Sequence, residues 1–162
     1  MSKMINVGIS DLNIAKVPDI LVTYALGSCV GICLHDRSNG IGGMAHIMLP
    51  YSKEVRNPSS PINLRRYADT GIAELLQMMI RNGAKFPSIT AKIAGGAQMF
   101  ETKINTFNIG ERNIEAVKKV LSVNGIRIIA EDTGQNFGRT VFFDIKTGEM
   151  QVKTASSRLV IL

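Results

Sequence analysis

Val30-Gly31-Ile32-Cys33-Leu34-His35-Asp36-Arg37-Ser38-Asn39-Gly40-Ile41-Gly42-Gly43-Met44-Ala45-His46-Ile47-Met48-Leu49 carries the strongest fold signal in the chain. Two short apolar runs flank Arg37-Ser38-Asn39-Gly40, and Asn-Gly between such runs is a strong local signal for a β-hairpin. Strands are predicted over 30–36 and 41–49, with Pro50 ending the second. If Ser38-Asn39 forms the tip, opposing residues sum to 77 and His46 faces Gly31. If Asn39-Gly40 forms it, the sum is 79 and His46 faces Cys33. Both registers put the odd positions of the first strand on the face of His46, because side chains alternate with period two. In the first register Cys29 is the diagonal neighbour of His46, roughly 7 to 8 Å away at the backbone. A one-residue bulge would send the pair to opposite faces.

Outward from the hairpin, β-branched and aromatic residues over 20–25 predict a strand that breaks at Gly27-Ser28. Residues 4–9 predict an earlier strand, followed by a turn at Asp11 and Asn13. Residues 51–66, with Pro58 and Pro61, read as a long surface loop. Ala68, Ile72, Leu75, Leu76, Met79 and Ile80 then recur at helical spacing, with Gly83 placed to cap the helix. A strand over 89–94 leads into Gly95-Gly96. No Gly-Lys-Ser/Thr follows, so the pair reads as a tight turn against packed backbone and not as a phosphate loop. Phe100, just beyond, reads as buried. Ile114, Val117, Val120 and Leu121 mark a second helix over 109–124, and a strand is predicted over 126–130. Runs over 139–145 and 150–154 flank Lys146-Thr147-Gly148-Glu149 as a further hairpin. Clustered hairpins with two helices between sheet segments predict an α+β fold with a mixed sheet or two packed sheets, not a regular α/β wind. At 162 residues with no repeat or linker, residues 1–162 read as one domain.

Apolar residues make up 45% of the chain and charged residues 20%, enough for a sizeable core. A net charge of +6 favours acidic partners, nucleic acid or an acidic protein surface. The basic residues are scattered, with no aromatic-interleaved basic strand and no zinc-finger spacing, which argues against nucleic acid. The N-terminus shows no secretory signal, and the apolar run over 20–34 is interrupted and shorter than the ~20 residues of a membrane helix. A cytoplasmic protein is expected.

The chemistry lies in two cysteines and two histidines. A thiol is a useful nucleophile only as its thiolate, and a nearby imidazole is the common means of generating it. Cys33 sits between Ile32 and Leu34 inside a predicted strand, the setting of an inert cysteine. Cys29 follows Gly27-Ser28, where a break in pairing frees backbone N–H groups for a substrate oxygen. Cys29 is therefore the candidate nucleophile and His46 the candidate base. In a straight strand four residues separate the two thiols by ~13 Å, too far for a disulfide or a shared zinc ion. No metal and no cofactor is expected.

At these residues the chain resembles the CheD family, the chemoreceptor glutamine deamidases of bacterial and archaeal chemotaxis. Val22-Thr23-Tyr24-Ala25-Leu26-Gly27-Ser28-Cys29-Val30 resembles the family's nucleophile segment, and Ala45-His46-Ile47-Met48-Leu49-Pro50 its histidine segment. Similarity continues through residues 66–70, 92–100, 108–113 and 130–134. The resemblance implies a catalytic set of Cys29, His46 and Thr23, with Thr23 orienting the imidazole. It implies a β-sandwich-like mixed-sheet core flanked by helices, similar to cysteine-hydrolase toxin domains. It also implies methyl-accepting chemotaxis receptors as substrate and the chemotaxis phosphatase CheC as a partner. A non-catalytic adaptor, or a minor receptor methylesterase activity, is the alternative.

Overall fold

The computed structural model describes residues 1–54, 62–99 and 108–162. Its elements are β1 (Met4–Asn6), β2 (Leu12–Lys16), β3 (Ile20–Leu26), β4 (Val30–Asp36), β5 (Ile41–Ile47), α1 (Ala68–Arg81), β6 (Ile89–Gly95), α2 (Ile109–Val123), β7 (Arg127–Thr133), β8 (Arg139–Asp144), β9 (Met150–Lys153) and β10 (Leu159–Ile161). They form two five-stranded sheets, ordered β1-β3-β8-β9-β10 and β2-β5-β4-β6-β7. Both are mixed, since β1 runs parallel to β3 and β6 parallel to β7 while the other pairs are antiparallel. The α+β expectation is met in its two-sheet form.

Strand alternation builds two cores from one central sheet. On β4, Val30, Ile32 and Leu34 pack toward Ile72, Leu75 and Met79 of α1 and Val117 and Leu121 of α2. Cys33 of the same strand, with Met44 and Ala94, packs instead against Leu21, Val141, Phe143 and Val152 of the first sheet. Every residue of β4 and β5 is buried, which is why both strands read as nearly continuous apolar runs. The layers run sheet, sheet, helices.

The hairpin adopts the first register. Gly31 pairs with His46 and Asp36 with Ile41, and the Gly40 N–H donates to Arg37 O at 3.2 Å. Helix α1 carries its predicted stripe, except that Ile80 is exposed. Gly83, at φ 109°, follows the helix as expected.

The first strand ends at Asn6, short of the predicted 9, and the turn comes at Ile9–Ser10, so that Asp11 and Asn13 lead into strand β2. This is an edge strand, and the two side chains accept hydrogen bonds from the N–H groups of Leu12 and Ile14 at 2.8 and 2.9 Å. Turn-forming residues here satisfy the unpaired edge of a sheet. Strand β10, in the tail, was also not foreseen. Of the long loop, Ser52–Glu54 and Leu64–Arg66 form single 3-10 turns, while Pro58 and Pro61 lie outside the described residues, as does Phe100. Among the described residues no helix is long and apolar enough to cross a membrane.

Candidate active site

Strand β3 presents Thr23 toward the second sheet, fully buried. Beyond it the pairing with β8 slips, because Thr23 faces Val141 but Leu26 faces Arg139. One extra residue is absorbed, with Ala25 at φ 60°. This bulge exposes Tyr24 and Ala25 together and returns Leu26 to the core. The chain then crosses from the first sheet to the second through Gly27-Ser28-Cys29 and enters β4 at Val30.

His46 lies near the end of β5, and its Nδ1 is 2.7 Å from Thr23 Oγ1. That hydroxyl is also 2.7 Å from Val7 O. A carbonyl only accepts, so the Thr23 proton goes to Val7, and the hydroxyl lone pair takes Nδ1–H of His46. The tautomer follows from the geometry: Nε2 carries the free lone pair. His46 is wholly buried, and Nε2 has no hydrogen-bond partner among the described residues. Burial lowers its pKa from 6.5 to about 4, so the imidazole is neutral at physiological pH. Its backbone is fixed on both sides, with its N–H donating to Asp11 O at 3.0 Å and its carbonyl accepting from the Ser10 N–H at 2.9 Å.

The two thiols part company here. Cys29 is partly exposed, and partial burial raises its pKa while its own backbone N–H works the other way. Cys33 is sealed between the sheets, and desolvation raises its pKa far more than nearby Lys92 lowers it.

Three consecutive carbonyls of the Cys29 turn are held from one side. Gly27 O accepts from the Ala97 N–H at 2.9 Å, Ser28 O from Asn113 Nδ2 at 2.9 Å, and Cys29 O from the Gly96 N–H at 2.8 Å. Gly95 and Gly96 have φ of 109° and 70°, and a Cβ on Gly95 would collide with Cys29 O. They form the packed turn expected of them. In a trans peptide the N–H points opposite to the preceding C=O, so the Ser28 and Cys29 N–H groups face away from this grip. Neither donates to a backbone carbonyl among the described residues. Two such amides beside a thiol suit the oxyanion of acyl transfer.

Behind the turn, buried Arg139 donates to Asp132 at 3.0 Å and to Gly134 O at 2.9 Å, and Arg158 joins the same carboxylate. These bonds tie the end of β7 to the start of β8. The three predicted site residues thus fall at one end of the sandwich, whereas Asn113 was not foreseen as part of it. Its only sequence signal was membership of the 108–113 segment. A cavity of about 530 Å³ lined by Ala25, Phe142 and Lys153, among others, contains none of Thr23, Cys29 or His46.

Residues 48–154 match the family model described as CheD chemotactic sensory transduction. A protein of Caldanaerobacter subterraneus subsp. tengcongensis named "Probable chemoreceptor glutamine deamidase CheD" is 48% identical over 155 residues, 94% of this chain and 94% of that protein. Its namesake in Syntrophomonas wolfei is 47% identical, over 95% of each chain. Among solved structures, Neisseria meningitidis protein NMB0706 superposes with a TM-score of 0.52 at 10% identity, over 82% of this chain and 64% of that one. This last likeness is one of fold alone.

Proposed function

The chain belongs to the CheD family, and from that premise we propose that it is a protein-glutamine glutaminase. Residues 1–162 act as one domain that converts specific glutamine side chains of methyl-accepting chemotaxis receptors to glutamate. The observation that carries this reading is the Thr23 hydroxyl holding His46 Nδ1, which leaves a neutral Nε2 lone pair at the end of the sandwich where Cys29 turns between sheets.

Cys29 is the nucleophile and His46 the base. As Sγ attacks the glutamine Cδ, the thiol proton passes to His46 Nε2, and the carbonyl oxygen becomes an oxyanion held by the Cys29 and Ser28 N–H groups. The C–N bond then breaks as the imidazolium returns its proton to the leaving nitrogen, releasing ammonia and leaving a thioester. Water, deprotonated by His46, attacks the thioester and the thiol departs as glutamate forms. Thr23 serves throughout by keeping the hydrogen on Nδ1. Burial disfavours the charged form of both His46 and Cys29.

The names of the relatives support the substrate. Receptor signalling bundles are acidic, and the net charge of +6 favours encounter with them in the cytoplasm. The same family membership supports docking to the phosphatase CheC. Incubation of receptor cytoplasmic fragments with the wild-type protein and with Cys29→Ala, followed by mass spectrometry of the receptor glutamines, tests the reading. Glutamate is expected only with the wild type. No conversion by wild-type protein that still binds receptor would favour an adaptor.

A further inference from the structure

We infer that Asn113 is a positioning residue of the deamidation site, its side-chain amide fixing the peptide plane that aims the Cys29 N–H at the oxyanion. The inference rests on the deamidase reading above. Asn113 lies early in α2, whose N-cap Asn108 accepts from the Glu111 N–H at 3.1 Å, and it is fully buried. Its Nδ2 donates to Ser28 O at 2.9 Å and to Met48 O at 2.8 Å, so both amide protons are used. The Ser28 carbonyl shares one rigid peptide plane with the Cys29 N–H, and Met48 is two residues past His46. One amide thus joins the nucleophile turn to the strand of the base.

The orientation of the side chain is dictated by its partners. Two carbonyls require two donors, so the nitrogen faces them. Oδ1 is consequently buried with no partner among the described residues, a cost accepted for the two bonds into the site. The depth of α2 is set by Gly110, which lies against the backbone of Gly96 and Ala97. Those two residues donate to Cys29 O and Gly27 O. Of the three carbonyls gripped in the turn, only that of Ser28 is held by a side chain among the described residues.

The test compares Asn113→Ala with the wild type in two reactions. Deamidation of a receptor fragment develops a carbonyl oxyanion, whereas alkylation of Cys29 by iodoacetamide displaces iodide and develops none. Buried Cys33, mapped in the same digest, stays unlabelled while the fold is intact. The inference predicts a kcat lower by about 100-fold, with KM and the Cys29 alkylation rate each within about three-fold of wild type. A kcat within about three-fold of wild type would overturn it. So would alkylation that falls in parallel with kcat while Cys33 stays protected, which would assign Asn113 to the thiol. If the variant exposes Cys33, the wild type decides: NMR couplings across the hydrogen bonds from Asn113 Nδ2 to the Ser28 and Met48 carbonyl carbons are expected, and absence of the Ser28 coupling overturns the bridge. Failure of the wild type to convert glutamine counts against the deamidase reading, and these couplings still report on the bridge.

Discussion

Cys29 and Cys33 are the same side chain four residues apart, and the fold treats them as opposites. Cys33 is locked into regular pairing between β5 and β6, with Met44 opposite on one side and Lys92 on the other. Its side chain is fully buried between two sheets, where desolvation suppresses the thiolate. Cys29 sits where pairing has stopped, in a turn whose carbonyls are bound on one side and whose Ser28 and Cys29 amides donate to no backbone carbonyl among the described residues. Burial supplies packing but removes chemistry. A reactive cysteine needs a place where the sheet has run out while the backbone stays rigid.

Paired substitutions separate the two cysteines most clearly. Cys29→Ala is expected to lower the deamidation rate by about 10⁴-fold or more while leaving stability within about 0.5 kcal/mol. Cys33→Ala should do the reverse, keeping the rate but costing about 1 kcal/mol in urea unfolding, from the small cavity left between the sheets. His46→Gln should cost about 10³-fold in rate, since the proposed base is lost while the strand remains. Thr23→Val keeps the shape but leaves Nδ1–H without its acceptor, and a loss of about 10 to 100-fold in kcat is expected, with Thr23→Ser close to wild type.

The pH dependence is the smallest effect. With His46 titrating at about 4, the acid limb of kcat/KM should fall near pH 4 and the rate should be flat from pH 6 to 8. Stability shifts over the wider interval between 6.5 and about 4. The unfolded imidazole takes up a proton as pH falls through 6.5 and the folded one does not until about 4, so this contribution is full above 6.5 and lost on acidification. His35, also held down by burial, acts in the same direction. Thermal melts of wild type and His46→Gln between pH 4 and 7 should show a smaller dependence in the variant.

Much of this was legible in the sequence where neighbours along the chain decide the outcome. The Arg37–Gly40 tip narrowed the hairpin to two registers, of which the structure adopts the one with His46 opposite Gly31, and the stripes of both helices followed from spacing alone. Strand β2 escaped because Asp11 and Asn13 carry turn chemistry that here serves a sheet edge. The Thr23 to His46 bond escaped spacing for a different reason. It joins two sheets across the core, and its donor and acceptor roles depend on Val7, which no local pattern connects to either. Resemblance alone pointed to Thr23. Asn113 was hidden in the same way, since a buried asparagine on a helix face shows its purpose only when the carbonyls it holds are in view.

The proposed deamidation routes the acyl group through Cys29 and not Cys33. Acid quenching of the wild-type protein during turnover of a receptor fragment, followed by digestion and mass spectrometry, tests it directly. A receptor peptide, lighter by one ammonia, is expected joined to the peptide that contains Cys29, with Cys33 unmodified. An adduct on Cys33, or glutamate formed at full rate after Cys29 has been blocked, would contradict it.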